Sequence, residues 1–183
     1  MNSKYLYLTL DLFVILFPFL FSFYSKANFS KKWKYLWPAI LIPGIIFIGW
    51  DEFFTRIGVW GFNEAYLSGL YVGSLPVEEI LFFICVPYAC VFTYEALNYL
   101  NPKDYFGPYQ TIISIVLITA CLFLGATSND RWYTFTTFLG LALCLIFLQL
   151  IKKESFLGRF YFTYLFILVP FFIINGILTG SGI

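Results

Sequence analysis

The sequence predicts an all-α integral membrane protein with about six transmembrane helices. The chain is 61% hydrophobic and only 11% charged, against roughly 25% charged in soluble domains. Apolar runs near the ~20 residues that cross a hydrocarbon core recur along its whole length. Charged or Pro- and Gly-bearing segments separate them, and no stretch remains for a soluble core. The bilayer is therefore the first partner implied. A net charge of +1 gives no reason to propose nucleic acid.

The runs fall at about 5–23, 35–54, 76–98, 109–127, 132–151 and 160–178. The first is too long for the apolar core of a signal peptide and lacks a small-residue cleavage site, so it reads as a helix. The second closes on Trp50-Asp51-Glu52, and the third opens on Pro76-Val77-Glu78-Glu79. The last three carry little polarity beyond Ser, Thr and Gln. Lysine and arginine orient the set: Lys26, Lys31, Lys32, Lys34, Lys103, Lys152, Lys153 and Arg159 lie in loops one, three and five, against Lys4, Arg56 and Arg131 on the other side. That asymmetry puts the odd loops in the cytoplasm and the acidic pairs toward the outer side.

An internal repeat organises the single membrane domain, residues 1–183. A gapless shift sets Lys26–Gly49 on Lys153–Gly176, pairing Phe29 with Phe156, Lys32 with Arg159, and Leu41-Ile42-Pro43 with Leu168-Val169-Pro170. Four helices separate equivalent points, so the copies point the same way across the membrane, a parallel-repeat arrangement. Repeat one covers about 1–108, a linker helix about 109–127, and a truncated repeat two about 132–183. The counterpart of Glu78-Glu79 is expected beyond Ile183, in a longer chain or in a partner, either a second half or another copy.

The four cysteines, Cys85, Cys90, Cys121 and Cys144, sit in apolar runs without a Cys-x-x-Cys pair, and histidine is absent. Zinc and haem have no ligand set here. No Gly-x-Gly-x-x-Gly supports a dinucleotide cofactor. Asp11, Asp51, Asp104 and Asp130 are scattered, unlike the clustered Asp that holds Mg²⁺ on a diphosphate. The reading is of no cofactor and no metal.

What remains is acid among aromatics: Asp51, Glu78 and Glu79 with Trp50, Trp60, Phe62, Phe82 and Phe83. Ionisable groups at a membrane margin are expensive and usually mark function. Phe82 and Phe83 follow Glu79 by three and four residues, hence share its helix face. A carboxylic acid can protonate a hydrocarbon double bond if burial and a neighbouring like charge keep it protonated. Aromatic faces then stabilise the carbocation without attacking it. The plainer readings stay open. Pro76 at a first helical position with acids in the first turn is an ordinary helix start. Asp51 could bond a nearby backbone or Arg56, Glu52 could face water, and Glu95 could pair with a base. Trp50 and Trp60 could belong to the interfacial belt.

Trp50-Asp51, Gly58-x-Trp60-x-Phe62 and Pro76-x-Glu78-Glu79-x-x-Phe82-Phe83 resemble the membrane-integral lycopene cyclases of the heterodimeric or fused, flavin-independent type. The motif block covers about 40–98, and the helix pattern extends the likeness over the chain. The resemblance implies a bacterial inner-membrane enzyme with lycopene as substrate. Its reaction would be a redox-neutral isomerisation, closing ψ-ends to β-rings through Asp51, Glu78 and Glu79. A cyclase for C50 carotenoids or ε-rings would carry the same motif. A small-solute carrier, the reading from a different class, predicts mid-membrane polar residues in several helices, and the last three runs scarcely have them.

Overall fold

The computed structural model describes residues 3–128 and 131–180; Asp130 and residues 181–183, which the sequence analysis includes, lie outside the described residues. Among the described residues the helices are α1 (Leu6–Phe21), α2 (Trp33–Arg56), α3 (Val77–Leu100), α4 (Gln110–Thr127), α5 (Trp132–Ile146) and α6 (Leu157–Gly180). A two-stranded hairpin, β1 (Tyr71–Val72) and β2 (Leu75–Pro76), joins them. The fold is an all-α membrane architecture. Five helical segments are long and apolar enough to cross a bilayer, and α1 is a shorter apolar helix. Phe13, Phe17, Ile42, Ile45, Val116 and Phe123 lie exposed, the outward apolarity that lipid accepts and water does not.

The helices sit close to the expected runs, with three differences. α1 has 16 residues, because a 3₁₀ turn takes Ser3–Tyr5. At its other end the Ser22 hydroxyl donates to the Pro18 carbonyl at 2.6 Å, closing the helix where the chain turns. α5 runs on into a π-helical stretch, Phe147–Lys152, ended by Lys153 at φ +55°. Pro76 is the residue before α3, with φ −67° and ψ 151°, so Val77 takes the first helical position.

The chain divides into two compact units, one comprising residues up to Asn101 with those from Phe166 onward, the other Pro102–Leu165. In the first, α3 packs on both α1 and α2. α1 runs parallel to α3: Tyr7 meets Glu79 and Phe82 near their starts, and Tyr24 meets Tyr99 near their ends. α2 runs opposite, setting Phe47 on Phe83 and Trp37 on Tyr88. Phe29, Leu36, Ile40 and Tyr88 form the core, with Ile15, Trp33, Trp37 and Phe92 against it. Tyr88 is fully buried, and its hydroxyl is paired with Ser22 at 2.6 Å, as a buried phenol requires.

The hairpin was not expected from the sequence, since two-residue strands leave no periodic signal. It pairs Tyr71 with Pro76 and Val72 with Leu75. Gly73 opens its two-residue turn at φ +68°, a conformation that glycine adopts without strain. A Cβ there would lie 2.7 Å from Glu52 Oε1, the movable end of a side chain, so it is the positive φ that calls for glycine.

In the second unit α4 and α5 form an antiparallel pair. The Ser114 hydroxyl lies 2.6 Å from the Tyr161 hydroxyl and donates to Gln149 Oε1 at 3.0 Å. Gln149 in turn donates to Thr111 at 3.1 Å. The start of α6 approaches the turn before α4 backbone to backbone: a Cβ on Gly158 would lie 2.5 Å from the Gly107 amide nitrogen. Gly140 in α5 has nothing within 4 Å of the same position. Gly158→Ala is therefore expected to lower the thermal unfolding midpoint of detergent-solubilised protein, with a loss of about 1–3 kcal/mol from overpacking. Gly140→Ala should leave it equal or slightly higher.

Candidate active site

The acidic cluster lies where α1, α2 and α3 come together at one end of the first unit. α3 begins directly after β2, so the hairpin fixes where its first turn points: the Val77 amide donates to the Leu70 carbonyl at 3.0 Å. Glu52 ties this hairpin to the end of α2. Its Oε2 accepts from the Ser74 amide at 2.9 Å and its Oε1 from Arg56 Nε at 2.6 Å. Glu52 is thus bonded on both oxygens, and Arg56, which the sequence offers as a possible partner of Asp51, is engaged by Glu52 instead.

Glu78 is 1% exposed. Its Oε1 accepts from the Ser68 amide at 2.7 Å, while Oε2 has no partner in the protein. Glu79 points the other way along the first turn of α3 and accepts a hydrogen bond from the Tyr7 hydroxyl of α1. Asp51 is buried in α2, takes the indole N–H of Trp60, and leaves Oδ2 unpartnered. Asp51 is near enough to Glu79 to act on it electrostatically. The expected acidic pairs therefore do meet at adjoining helix ends.

The aromatic residues divide around these acids. Phe82 faces α1, with its ring 6.5 Å from Tyr7, and Phe83 faces α2, stacked on Phe47 at 6.4 Å. Trp50 reaches Trp60 through Phe54, with centroid separations of 5.2 and 5.4 Å. Phe62 is half-buried in the loop after α2; among the described residues it takes part in no ring pair with these side chains. Among the described residues no group of three or more acids, cysteines or histidines is placed to hold a metal ion.

Two members of the cluster are not singled out by the sequence pattern, Tyr7 and Asp11. Asp11 is 2% exposed, and its Oδ2 has no partner. Glu79 and Glu78 both act on it electrostatically. The signal was present: an aspartate inside an apolar run, four residues after a tyrosine, continues a stripe through Ile15, Pro18 and Ser22 that faces α3. Its distance in sequence from the other aspartates conceals it.

The other end of the unit is built differently. Lys32 pairs with Glu95 at 2.5 Å, as a boundary glutamate should. There a cavity of about 710 Å³ opens between Phe21, Tyr24, Phe29, Phe92 and Tyr99, with that ion pair among its walls. Sixteen residues of α3 separate Glu79 from Glu95, about 24 Å of helix, so the cavity is not the acidic site.

No curated protein and no solved structure matches the chain significantly. A family model described as lycopene cyclase matches residues 4–97 and 130–183. The first stretch contains every acid and aromatic residue of the site described above, and the two together span most of the sequence, so the chain belongs to the lycopene cyclase family.

Proposed function

We propose that the chain is a carotenoid cyclase that converts ψ-ends of lycopene to β-rings by proton-initiated, redox-neutral chemistry. The observation that carries this reading is Glu79. It sits in the membrane-spanning bundle on the hydroxyl of Tyr7, with Phe82 and Phe83 on its helix face and the unpartnered carboxyl oxygens of Asp51 and Glu78 in the same cluster.

The chemistry then distributes over these positions. Glu79 gives a proton to the terminal double bond of the hydrocarbon, creating a tertiary cation. A double bond further along the chain attacks it, closing the six-membered ring with one new carbon–carbon bond and moving the positive charge onto the ring. Loss of a ring proton to a carboxylate restores neutrality, so no atom is gained or lost. Phe82, Phe83, Trp50 and Trp60 present π-faces to the cation, which attract it without forming a bond. Glu78, held by the loop amide of Ser68, and Asp51, held by Trp60, are the available proton acceptors. Ring type depends on which ring proton leaves, and product analysis reads it directly.

The gapless shift that sets Lys26–Gly49 on Lys153–Gly176 supports two same-way copies and, with them, a partner in the membrane: a second cyclase half or another copy of this chain. The lysine-rich loop between α1 and α2, with Lys26, Lys31, Lys32 and Lys34, supports placing the acids toward the outer side.

The test is expression in a lycopene-accumulating host, alone and together with a second chain of the same family, with pigments resolved by chromatography. Glu79→Gln and Glu78→Gln keep the side-chain shape and remove the acid. Each is expected to lower cyclic product by at least about 100-fold while the protein still inserts in the membrane; normal yield from both variants would sink the assignment. Tyr7→Phe removes only the hydroxyl on Glu79 and is expected to slow ring formation by about tenfold, the scale of one lost hydrogen bond to a charged group, with insertion unchanged. Equal initial rates for Tyr7→Phe and wild type would remove Tyr7 from the site.

A further inference from the structure

Asp11 has no structural task that the fold reveals. It is the sixth residue of α1, too far along to cap the helix, in a segment otherwise free of charge. A buried carboxylate normally finds a cation or a set of donors, because stripping its water is expensive. The groups around Asp11 are Tyr7 on its own helix and Glu78, Glu79 and Cys85 on α3, with Asp51 of α2 reaching Tyr7 and Glu79. None is a cation. The ion pairs described in this unit lie elsewhere, Lys32 on Glu95 and Arg56 on Glu52.

Its position is informative. Asp11 lies one helical turn beyond Tyr7, about 6 Å further into the membrane, and is near enough to Cys85 of α3 to act on it. Tyr7 therefore lies one turn from Asp11 on the same helix face, and its hydroxyl donates to Glu79. A phenol so placed can pass a proton by accepting one and donating another.

Resting on the cyclase reading above, we propose that Asp11 is a positioning residue that holds a proton in reserve for Glu79 and exchanges it through the Tyr7 hydroxyl. When Glu79 has protonated the substrate, a proton moves from the Asp11 carboxyl to Tyr7 as Tyr7 releases its own to Glu79. The ring proton, taken up by Glu78 or Asp51 at ring closure, later passes to Asp11, which resets both the acceptor and the reserve. The exchange is neutral overall, and no other reactant enters.

The experiment measures cyclisation against pH in membranes carrying wild type, Asp11→Asn, Asp11→Glu and Tyr7→Phe. It is paired with infrared spectra of the carboxyl groups in purified protein. Asp11→Asn is expected to insert normally and to lose about tenfold in rate on the alkaline side, where a lost proton is replaced most slowly. Asp11→Glu should restore the profile. In the infrared, the band that Asp11→Asn removes should shift in Glu79→Gln and in Tyr7→Phe. A purely structural Asp11 predicts a rate lowered evenly at all pH and a band indifferent to Glu79; either result overturns the proposal. If Asp11→Asn does not fold, Asp11→Glu and Tyr7→Phe decide the question. A wild-type profile for Tyr7→Phe then overturns the relay, and an alkaline loss in Tyr7→Phe alone supports it. Absence of cyclic product from wild type, with or without a second family chain, refutes the cyclase reading; the infrared bands still show whether Asp11 and Glu79 are coupled.

Discussion

Desolvated acid is the constraint around which the first unit is arranged. Asp11, Asp51 and Glu78 come from three different helices, and each keeps a carboxyl oxygen without a partner in the protein. Such groups are unfavourable in the interior of a membrane protein and persist only where the surrounding packing holds them. The fold supplies that hold from several directions. The hairpin fixes the first turn of α3, Glu52 clamps the hairpin to α2, and the buried Tyr88–Ser22 pair locks α1 against α3 further down the bundle.

The aromatic residues serve the same arrangement. Because α1 and α3 are parallel and α2 is opposed, residues from the start of α1, the end of α2 and the start of α3 converge at one level. Phe82 and Phe83, adjacent in sequence, diverge toward α1 and α2 respectively. For the proposed cyclisation, in which an acyclic polyene must fold its end into a ring, this divergence offers an aromatic surface toward each of the two helices. Trp50, Phe54 and Trp60 form a continuous run of ring contacts, and Trp60 delivers an indole N–H to Asp51.

Much of this was legible in the sequence. Hydropathy gave the helices to within a few residues, because an apolar run of spanning length has few alternatives. The acids at the α2–α3 junction could be read because Glu78-Glu79 and Asp51-Glu52 stand as pairs at the edges of such runs. What stayed hidden depended on three dimensions. The hairpin is set by one glycine conformation and one contact with Glu52, neither of which has a period. Asp11 is separated from its neighbours on α3 by more than sixty residues, and only the parallel approach of α1 joins them. The division of labour between Glu78 and Glu79 was equally invisible, since adjacent residues on a helix leave in directions about 100° apart and sequence does not say which meets Tyr7.

The contrast between bonded and unbonded carboxylates separates the acids that hold the bundle from those available to react. Glu95 meets Lys32, and Glu52 is satisfied by Arg56 and the Ser74 amide; both sit at helix ends where such a partner also secures a loop. Asp11, Asp51 and Glu78 are buried, each keeps a carboxyl oxygen without a partner, and none takes part in either described ion pair. Had they been kept for stability, apolar residues of similar size would serve as well or better in this setting. Their occurrence together, beside aromatic rings, fits the proton chemistry proposed for this cluster. In the proposed cyclisation a lysine or arginine among these acids would be unfavourable, because a fixed positive charge would hold them ionised and repel a carbocation.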